Sequence, residues 1–480
     1  MLLKFTLIYG IGRGIPGIVN FLTIAIYTRL LTPDDYGYYA LMVASVGLWN
    51  TVLFEWLRLG LLRLFPAQAD EPRPLLATLL CGYAVIAALA AGVGGIAMVW
   101  AADRAFTVLV SLGLALLCAQ AWFELNLELV RSQLSAVRYA HITAWRAVVA
   151  LVCGVTLIDA GLGGQGALLG VLVALVVSVV PFVRETWREV RPAQANRLLL
   201  RELLAYGLPL TASLALNFVI SSSDRYLIDW LLGTGATGVY AAGYDAVWHS
   251  LTLLMMTVNL AGYPIAVRAL EQGGVAAARS QVQQNFLLLA VIAAPAATGI
   301  AVCAPAIGSV VLGPGFRESA VGLMPWVALG AVIARFKSYY VDLSFHLGRK
   351  TIGQVWVMLV GAVVNVVLNL WWIPLFGIYG AAYATIVAYA VALVLGLLAG
   401  RQAFPLPAPP LEALKPLLAA GVMAAALWPG RDETGLQALA WQLGLGGVVY
   451  SLGLLILDFA GCRRRLRGLV VAHALGAAGR

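Results

Sequence analysis

The chain has 480 residues, 62% of them hydrophobic and only 11% charged, with a mean hydropathy of +0.90. Soluble domains lie nearer about 45–50% apolar and about 25% charged, so a soluble multidomain enzyme, a disordered chain and a secreted disulfide scaffold are excluded. A membrane span takes roughly 20 apolar residues, so nearly the whole chain belongs in a bilayer. The net charge of +9 would point to nucleic acid in a soluble protein. Here it fits basic cytoplasmic loops beside anionic lipid, with no nucleic-acid partner.

Apolar runs separated by Pro, Gly and charge predict fourteen helices. They lie near 6–30, 38–62, 75–99, 105–127, 140–159, 162–183, 203–223, 239–263, 286–304, 321–346, 351–373, 378–399, 412–428 and 436–459. Arg13 and Pro16 interrupt the first run, so it does not read as a cleavable signal. The positive-inside rule fixes the orientation. Most Lys and Arg fall in alternate segments that include both termini, and only Arg29, Arg104, Arg225, Arg317 and Arg431 fall opposite. Both termini are therefore expected in the cytoplasm. The polar stretch 184–202 reads as a solvated linker, and the Pro-rich joint at 404–410 sets off the last two helices.

The two halves of the chain repeat each other. Tyr9-Gly10 matches Tyr206-Gly207 and Asn20-Phe21 matches Asn217-Phe218 at a shift of 197; Gly37, Tyr39 and Ala40 match Gly238, Tyr240 and Ala241 at a shift of 201. Six helices are thus duplicated in parallel orientation, the arrangement of a rocking transporter. The expected organisation is an N-terminal lobe (1–183), a cytoplasmic linker (184–202), a C-terminal lobe (203–400), and two peripheral helices with a basic cytoplasmic tail (401–480). The fold class is an all-α polytopic membrane protein, with two pseudo-symmetric six-helix lobes around a central cavity plus two C-terminal helices.

Polar residues recur at helical spacing on the duplicated helices. Tyr9, Arg13, Pro16, Asn20 and Tyr27 share a face of the first, and Tyr206, Ser213, Asn217 and Asp224 the equivalent face of the seventh. Asp245, His249, Thr252, Met256 and Asn259 line up on the eighth, and Thr51, Glu55 and Arg58 occupy matching places on the second. The tenth carries Arg335, Tyr339, Asp342 and His346 on one face with Lys337 off it, and the fourth offers Glu124, Glu128 and Arg131. Asn365, Asn369, Ser213 and Thr252 read as bonds between neighbouring helices. Arg58, Arg63 and Arg131 also fit interfacial arginines reaching for headgroups, and Glu55 with Arg58 a local ion pair at i and i+3. Arg13 is too deep for that and needs water or a partner. No Walker A, HExxH or GxSxG motif occurs, the five Cys are scattered without metal spacing, and no outside loop is large enough for an acceptor site. The chain is therefore expected to be no enzyme and to hold neither metal nor organic cofactor.

The segments IAIYTRLLTPDDYGYYALMVASVGLW (24–49), WLRLGLLRLFPA (56–67), DRYLIDWLLGTGATGVYAAGYDAV (224–247) and VVNVVLNLWWIPLFGIYGAAYATIVAYAV (363–391) resemble the polysaccharide transporter, or Wzx-type flippase, branch of the multidrug/oligosaccharidyl-lipid/polysaccharide exporter superfamily. The resemblance implies fourteen helices in two six-helix lobes plus two peripheral ones. It implies transfer of a polyprenyl-diphosphate-linked glycan from the cytoplasmic to the periplasmic leaflet of a bacterial inner membrane. An arginine in the first helix lines the cationic cavity of related lipid II flippases, and Arg13 fits that position; Arg63 fits the basic residue closing the second helix. Leu210 stands opposite Arg13 in the second half, so the second lobe takes its charge from Arg335 or Lys337. The cavity set is then Arg13, Asn20, Arg58, Arg63, Asn217, Arg335 and Lys337. Glu55, Asp224, Asp245 and Asp342 are the candidates for coupling to protons or sodium. Membrane lipids, a glycan polymerase and glycosyltransferases are the implied partners. A multidrug or cation exporter of the same superfamily, which would want carboxylates and aromatics in its cavity, and a non-transporting scaffold of a glycan-synthesis complex are the rival readings.

Overall fold

The computed structural model describes residues 17–68, 70–101, 103–133 and 135–462. Among them all regular structure is helical, with no strand. This is the expected result where no water is at hand to satisfy backbone N–H and C=O groups. The helices are α1 (Gly17–Leu30), α2 (Pro33–Leu64), α3 (Arg73–Ala101), α4 (Arg104–Ser132), α5 (Ala136–Leu157), α6 (Gly163–Trp187), α7 (Arg197–Leu232), α8 (234–273), α9 (275–302), α10 (Ala304–Val311), α11 (Pro314–Leu347), α12 (Ile352–Phe376), α13 (Ile378–Gly400), α14 (Leu414–Leu427) and α15 (Leu436–Ile456). All but the short α10 answer to the fourteen predicted helices.

Local chemistry sets the ends. The turn before α2 is a complete N-terminal signature: Thr32 caps it by accepting the Asp35 N–H at 3.1 Å, Pro33 opens it, and Asp34 and Asp35 fill its first turn. Asn196 caps α7 in the same way, accepting the Leu198 N–H at 2.8 Å. A continuous helix of 69 residues would be about 100 Å long, so Thr234–Val302 cannot be one span. It folds back at Gly274, whose φ of 69° only glycine adopts without strain. The predicted loop between 263 and 286 is thus helical on both sides of Gly274. Its Ala, Arg, Glu and Gln residues end the hydropathy run but are strong helix formers, so the helices outlast the apolar stretch.

The described residues divide into two compact units, those up to 242 with 358–384, and 243–357 with those from 385 onward. In the first, α2 packs along α4 and α7. Phe54, Leu57 and Leu61 bury against Leu75 and Leu79 of α3, Leu125 and Leu129 of α4 and Leu203 of α7. The stretch after α6 is docked on this unit: Trp187 Nε1 donates to Asn126 Oδ1 at 2.8 Å, the Asn196 N–H donates to Thr78 Oγ1 at 2.9 Å, and Arg73 pairs with Glu189. In the second unit, Met255, Ala266, Val282, Leu289, Tyr340 and Leu343 form the core of α8, α9 and α11. There α14 and α15 rest on α9, with Tyr450 Oη donating to the Val291 carbonyl at 2.8 Å.

The internal repeat is visible as a reciprocal contact inside the first unit. The starts of α2 and α8 cross so closely that a Cβ on Gly37 would sit 2.0 Å from the Thr234 carbonyl oxygen, and one on Gly238 1.9 Å from that of Pro33. Residues 33 and 37 correspond to 234 and 238 under the repeat, so the two contacts are images of one another, the geometry of a local two-fold axis. A second pair repeats with altered chemistry. Tyr27 meets Tyr39 edge to face at 5.6 Å between ring centroids, whereas their equivalents, Asp224 and Tyr240, are joined by a hydrogen bond from the Tyr240 hydroxyl. Gly37→Ala and Gly238→Ala are each expected to destabilise the protein by about 1–3 kcal/mol, read as a lower midpoint of thermal unfolding in detergent. The Gly47→Ala control, facing only the flexible Phe218 ring at 3.0 Å, is expected to change it less.

Candidate functional site: charged groups within the membrane helices

Within the first unit, Arg58 of α2 is held by two carboxylates, Glu55 one turn earlier and Glu124 of α4. Asn50 Nδ2 donates to the same Glu124 oxygen at 2.8 Å, and Gln120 donates to the other. The local Glu55–Arg58 pair allowed by their spacing is therefore present, but α4 supplies a second acid that spacing along α2 could not reveal. Asn50 is buried at 4% exposure, and its Oδ1, like Arg58 Nε, is buried without a hydrogen-bond partner. Glu128 follows one turn along α4, with Arg131 at 3.4 Å.

Asp224 of α7 is fully buried, at 0% exposure. One of its oxygens accepts the Tyr240 hydroxyl and the other the Arg225 N–H at 2.9 Å. One residue before it, Ser223 donates to Asn365 Oδ1 at 3.1 Å, and Asn369 donates to that same oxygen at 3.1 Å. Asn365 and Asn369 are both fully buried, and Asn369 Oδ1 has no hydrogen-bond partner among the described residues. The interhelical bond expected of Asn365 is thus made to α7.

The second unit treats its charges differently. Arg335 of α11 lies over the Trp248 ring at 5.1 Å and the Tyr339 ring at 5.8 Å, and Trp248 is itself braced by Tyr244 and Tyr389 at 5.0 and 5.7 Å. Among the described residues no carboxylate pairs with Arg335, and its Nε is buried without a partner. Lys337, placed off the Asp342 face by the sequence reading and assigned to the cavity, is instead 2% exposed and pairs with Asp342 at 2.9 Å. The cause is a π turn at Lys337–Val341, in which the Asp342 N–H donates to the Lys337 carbonyl at 2.9 Å. The wider turn stacks i on i+5, which an α-helical period keeps apart. Gln354 Nε2 of α12 donates to the same Asp342 oxygen at 3.2 Å. Asp245 is half-buried with His249 at 3.5 Å.

Arg13 lies outside the described residues. Asn20 is exposed on α1, Arg63 is exposed with its guanidinium 5.9 Å from the Tyr206 ring, and Asn217 is half-buried on α7. Sequence reasoning named Glu124 but not its pairing with Arg58, and it missed Asn50 altogether. Glu124 carried a signal, the Gln120-Glu124-Glu128 spacing of four on one apolar helix. Asn50 carried none. Arg146, inside the predicted helix 140–159 but not singled out there, lies ten residues into α5, over the Phe123 ring at 5.2 Å, and among the described residues it has no carboxylate. The second unit also contains a cavity of about 790 Å³ between α9, α11, α13 and α14, walled by apolar side chains such as Phe286, Leu329, Ile333, Phe336, Leu393 and Leu397.

Breaking a buried ion pair on one side strands the other charge, at about 3–5 kcal/mol, whereas replacing both partners by apolar groups is often neutral. Lys337→Met is therefore expected to lower the thermal midpoint in detergent strongly, and Lys337→Met with Asp342→Leu to recover most of the loss.

Residues 26–321, more than half of the chain, match the model of the polysaccharide biosynthesis protein family. A curated relative, the uncharacterized membrane protein MJ1068 of Methanocaldococcus jannaschii, is 24% identical over 196 residues, 41% of this chain; the match spans only 38% of that protein's length. Among solved structures, the inward-closed lipid II flippase MurJ aligns with a TM-score of 0.72 at 12% identity, covering 94% of this chain and 99% of that one. An inward-facing multidrug resistance MATE transporter of the MOP superfamily aligns at 0.62 and 15% identity, covering 82% and 97%. A MOP superfamily transporter from Pyrococcus furiosus, described as having a binding pocket of reverse polarity, aligns at 0.59 and 14%, covering 83% and 94%. The chain is an integral membrane protein that belongs to the polysaccharide biosynthesis protein family and has the MOP superfamily transporter fold.

Proposed function

We propose that the protein is a flippase that carries a polyprenyl-diphosphate-linked oligosaccharide from the cytoplasmic to the periplasmic leaflet of a bacterial inner membrane, by alternating access of two lobes and with both termini in the cytoplasm. The observation that carries this reading is on α11. One side of that helix presents Arg335 on an aromatic platform, without a carboxylate among the described residues. The other side, through Ile333, Phe336 and Tyr340, walls the apolar cavity. A diphosphate needs the first feature and a prenyl chain the second. Phosphate charges cannot cross hydrocarbon bare, and a guanidinium fork replaces their water with charge-assisted bonds. Arg13, Arg58 and Arg63 extend the cationic set, with Asn20 and Asn217 as polar lining. The work is transport rather than catalysis, supplied with cargo by glycosyltransferases and followed by a polymerase. A multidrug exporter would bind cations, for which a free guanidinium is the wrong charge.

Arg335→Ala is expected to cut transport of a fluorescent polyprenyl-diphosphate glycan into proteoliposomes by about 10–100-fold, the worth of a hydrogen bond to a charged group, with Arg335→Lys intermediate. Undiminished transport by the alanine variant removes Arg335 from the cargo site, and drug transport without lipid transport favours the exporter reading.

We further propose that transport is coupled to protons or sodium, with Asp224 ahead of Glu55, Asp245 and Asp342. Asp224 is fully buried, is joined to the start of α8 through Tyr240, and stands where the first repeat has Tyr27. An ion taken up there acts on α7 and α8 together. In Asp224→Asn, transport is expected to lose its dependence on an imposed proton or sodium gradient while lipid binding persists; retained gradient dependence would rule Asp224 out.

A further inference from the structure

Arg58 differs from Arg335 and Arg146 in having its counterions built in. Its two terminal nitrogens are each spent on a carboxylate, one from its own helix and one from α4. The pairing is end-on at both sites, so Nε remains a buried donor with no acceptor among the described residues. A guanidinium committed permanently to structure would be expected to satisfy all its donors, because an unmet buried donor is costly.

The two acids are not equally dependent on it. Glu124 accepts from Asn50 at 2.8 Å and from Gln120 as well as from Arg58, so it keeps two donors if the guanidinium turns away. Glu55 pairs with Arg58 alone among the described residues. The cluster lies about two turns from the ends of α2 and α4, and the side chains of Arg58 and Glu124 retain 21% and 20% exposure. It is within reach of an entering headgroup.

We infer that Glu124 is a resident competitor for the guanidinium of Arg58: the site binds a diphosphate by exchanging the Glu124 carboxylate for phosphate oxygens, and Asn50 and Gln120 hold the displaced carboxylate in place. A diphosphate offers enough acceptors to fill Nε together with the terminal nitrogens, which the present pairing does not. The carboxylates set the affinity, giving the guanidinium counterions in the membrane while no anion is bound and weakening the grip so that the anion can leave. The inference rests on the proposed diphosphate-linked cargo for its biological meaning, but the exchange itself is testable with the anion alone.

The test uses the full-length protein in nanodiscs and two probes, inorganic pyrophosphate and undecaprenyl diphosphate, with affinity read by tryptophan fluorescence. Glu124→Gln trades a charge-assisted contact for a neutral one and is expected to bind pyrophosphate about tenfold more tightly than the wild type. Arg58→Ala should bind it at least tenfold more weakly, and the double variant should bind like Arg58→Ala, because the gain requires the arginine. If Glu124→Gln leaves pyrophosphate affinity unchanged or lower, or tightens it equally without Arg58, the exchange is overturned. Glu55→Gln, expected to tighten binding in the same sense, serves the same purpose should Glu124→Gln fail to fold. Tighter pyrophosphate binding in the Gln variants with no binding of undecaprenyl diphosphate to any of them leaves the exchange standing and overturns the lipid-carrier reading instead.

Discussion

A charge placed in hydrocarbon must find a counterion, an aromatic face or an anion from outside, because the cost of leaving it bare is several kcal/mol. The described structure contains the first two solutions and leaves room for the third. Lys337 with Asp342, and Arg58 with Glu55 and Glu124, are paired inside the protein. Arg335 and Arg146 rest on rings instead. A ring face stabilises a guanidinium by dispersion and quadrupole attraction but does not neutralise it. Arginines held that way keep their charge unneutralised, and that difference in treatment is what supports the proposal of an anionic cargo.

Duplication explains both the order in the molecule and its useful departures from order. The Gly37 and Gly238 crossing requires small residues at the same place in each repeat, since each faces a backbone carbonyl of the other. The neighbouring pair was free to diverge: Tyr27 against Tyr39 is an apolar contact, and Asp224 with Tyr240 a polar one at the equivalent position. A buried carboxylate introduced into one copy only breaks the symmetry energetically. Under the proposed coupling, that asymmetry is what would let a bound ion favour one conformation over another.

The apolar cavity in the second unit follows from how helices pack in a membrane. In a bilayer there is no hydrophobic drive to close gaps between helices, so packing depends on small residues and interhelical bonds. Where Ala290, Ala293, Ala297 and Ala301 line α9 opposite Leu329 and Leu393, side chains do not fill the space, and about 790 Å³ remains.

Composition and hydropathy determined the membrane class and the fourteen helices, because bilayer thickness acts on consecutive residues. The repeat was legible for the same reason, as was the Gln120-Glu124-Glu128 stripe. Which charges pair was decided by the tertiary structure. Glu124 reaches Arg58 from a helix more than sixty residues away, Asn50 gives no sign in the sequence of its bond to Glu124, and Lys337 meets Asp342 only because a π turn displaces the α-helical period. Helical spacing assigns residues to a face, but the partner a face meets is set by how helices cross, and a charge in hydrocarbon takes its role from that partner.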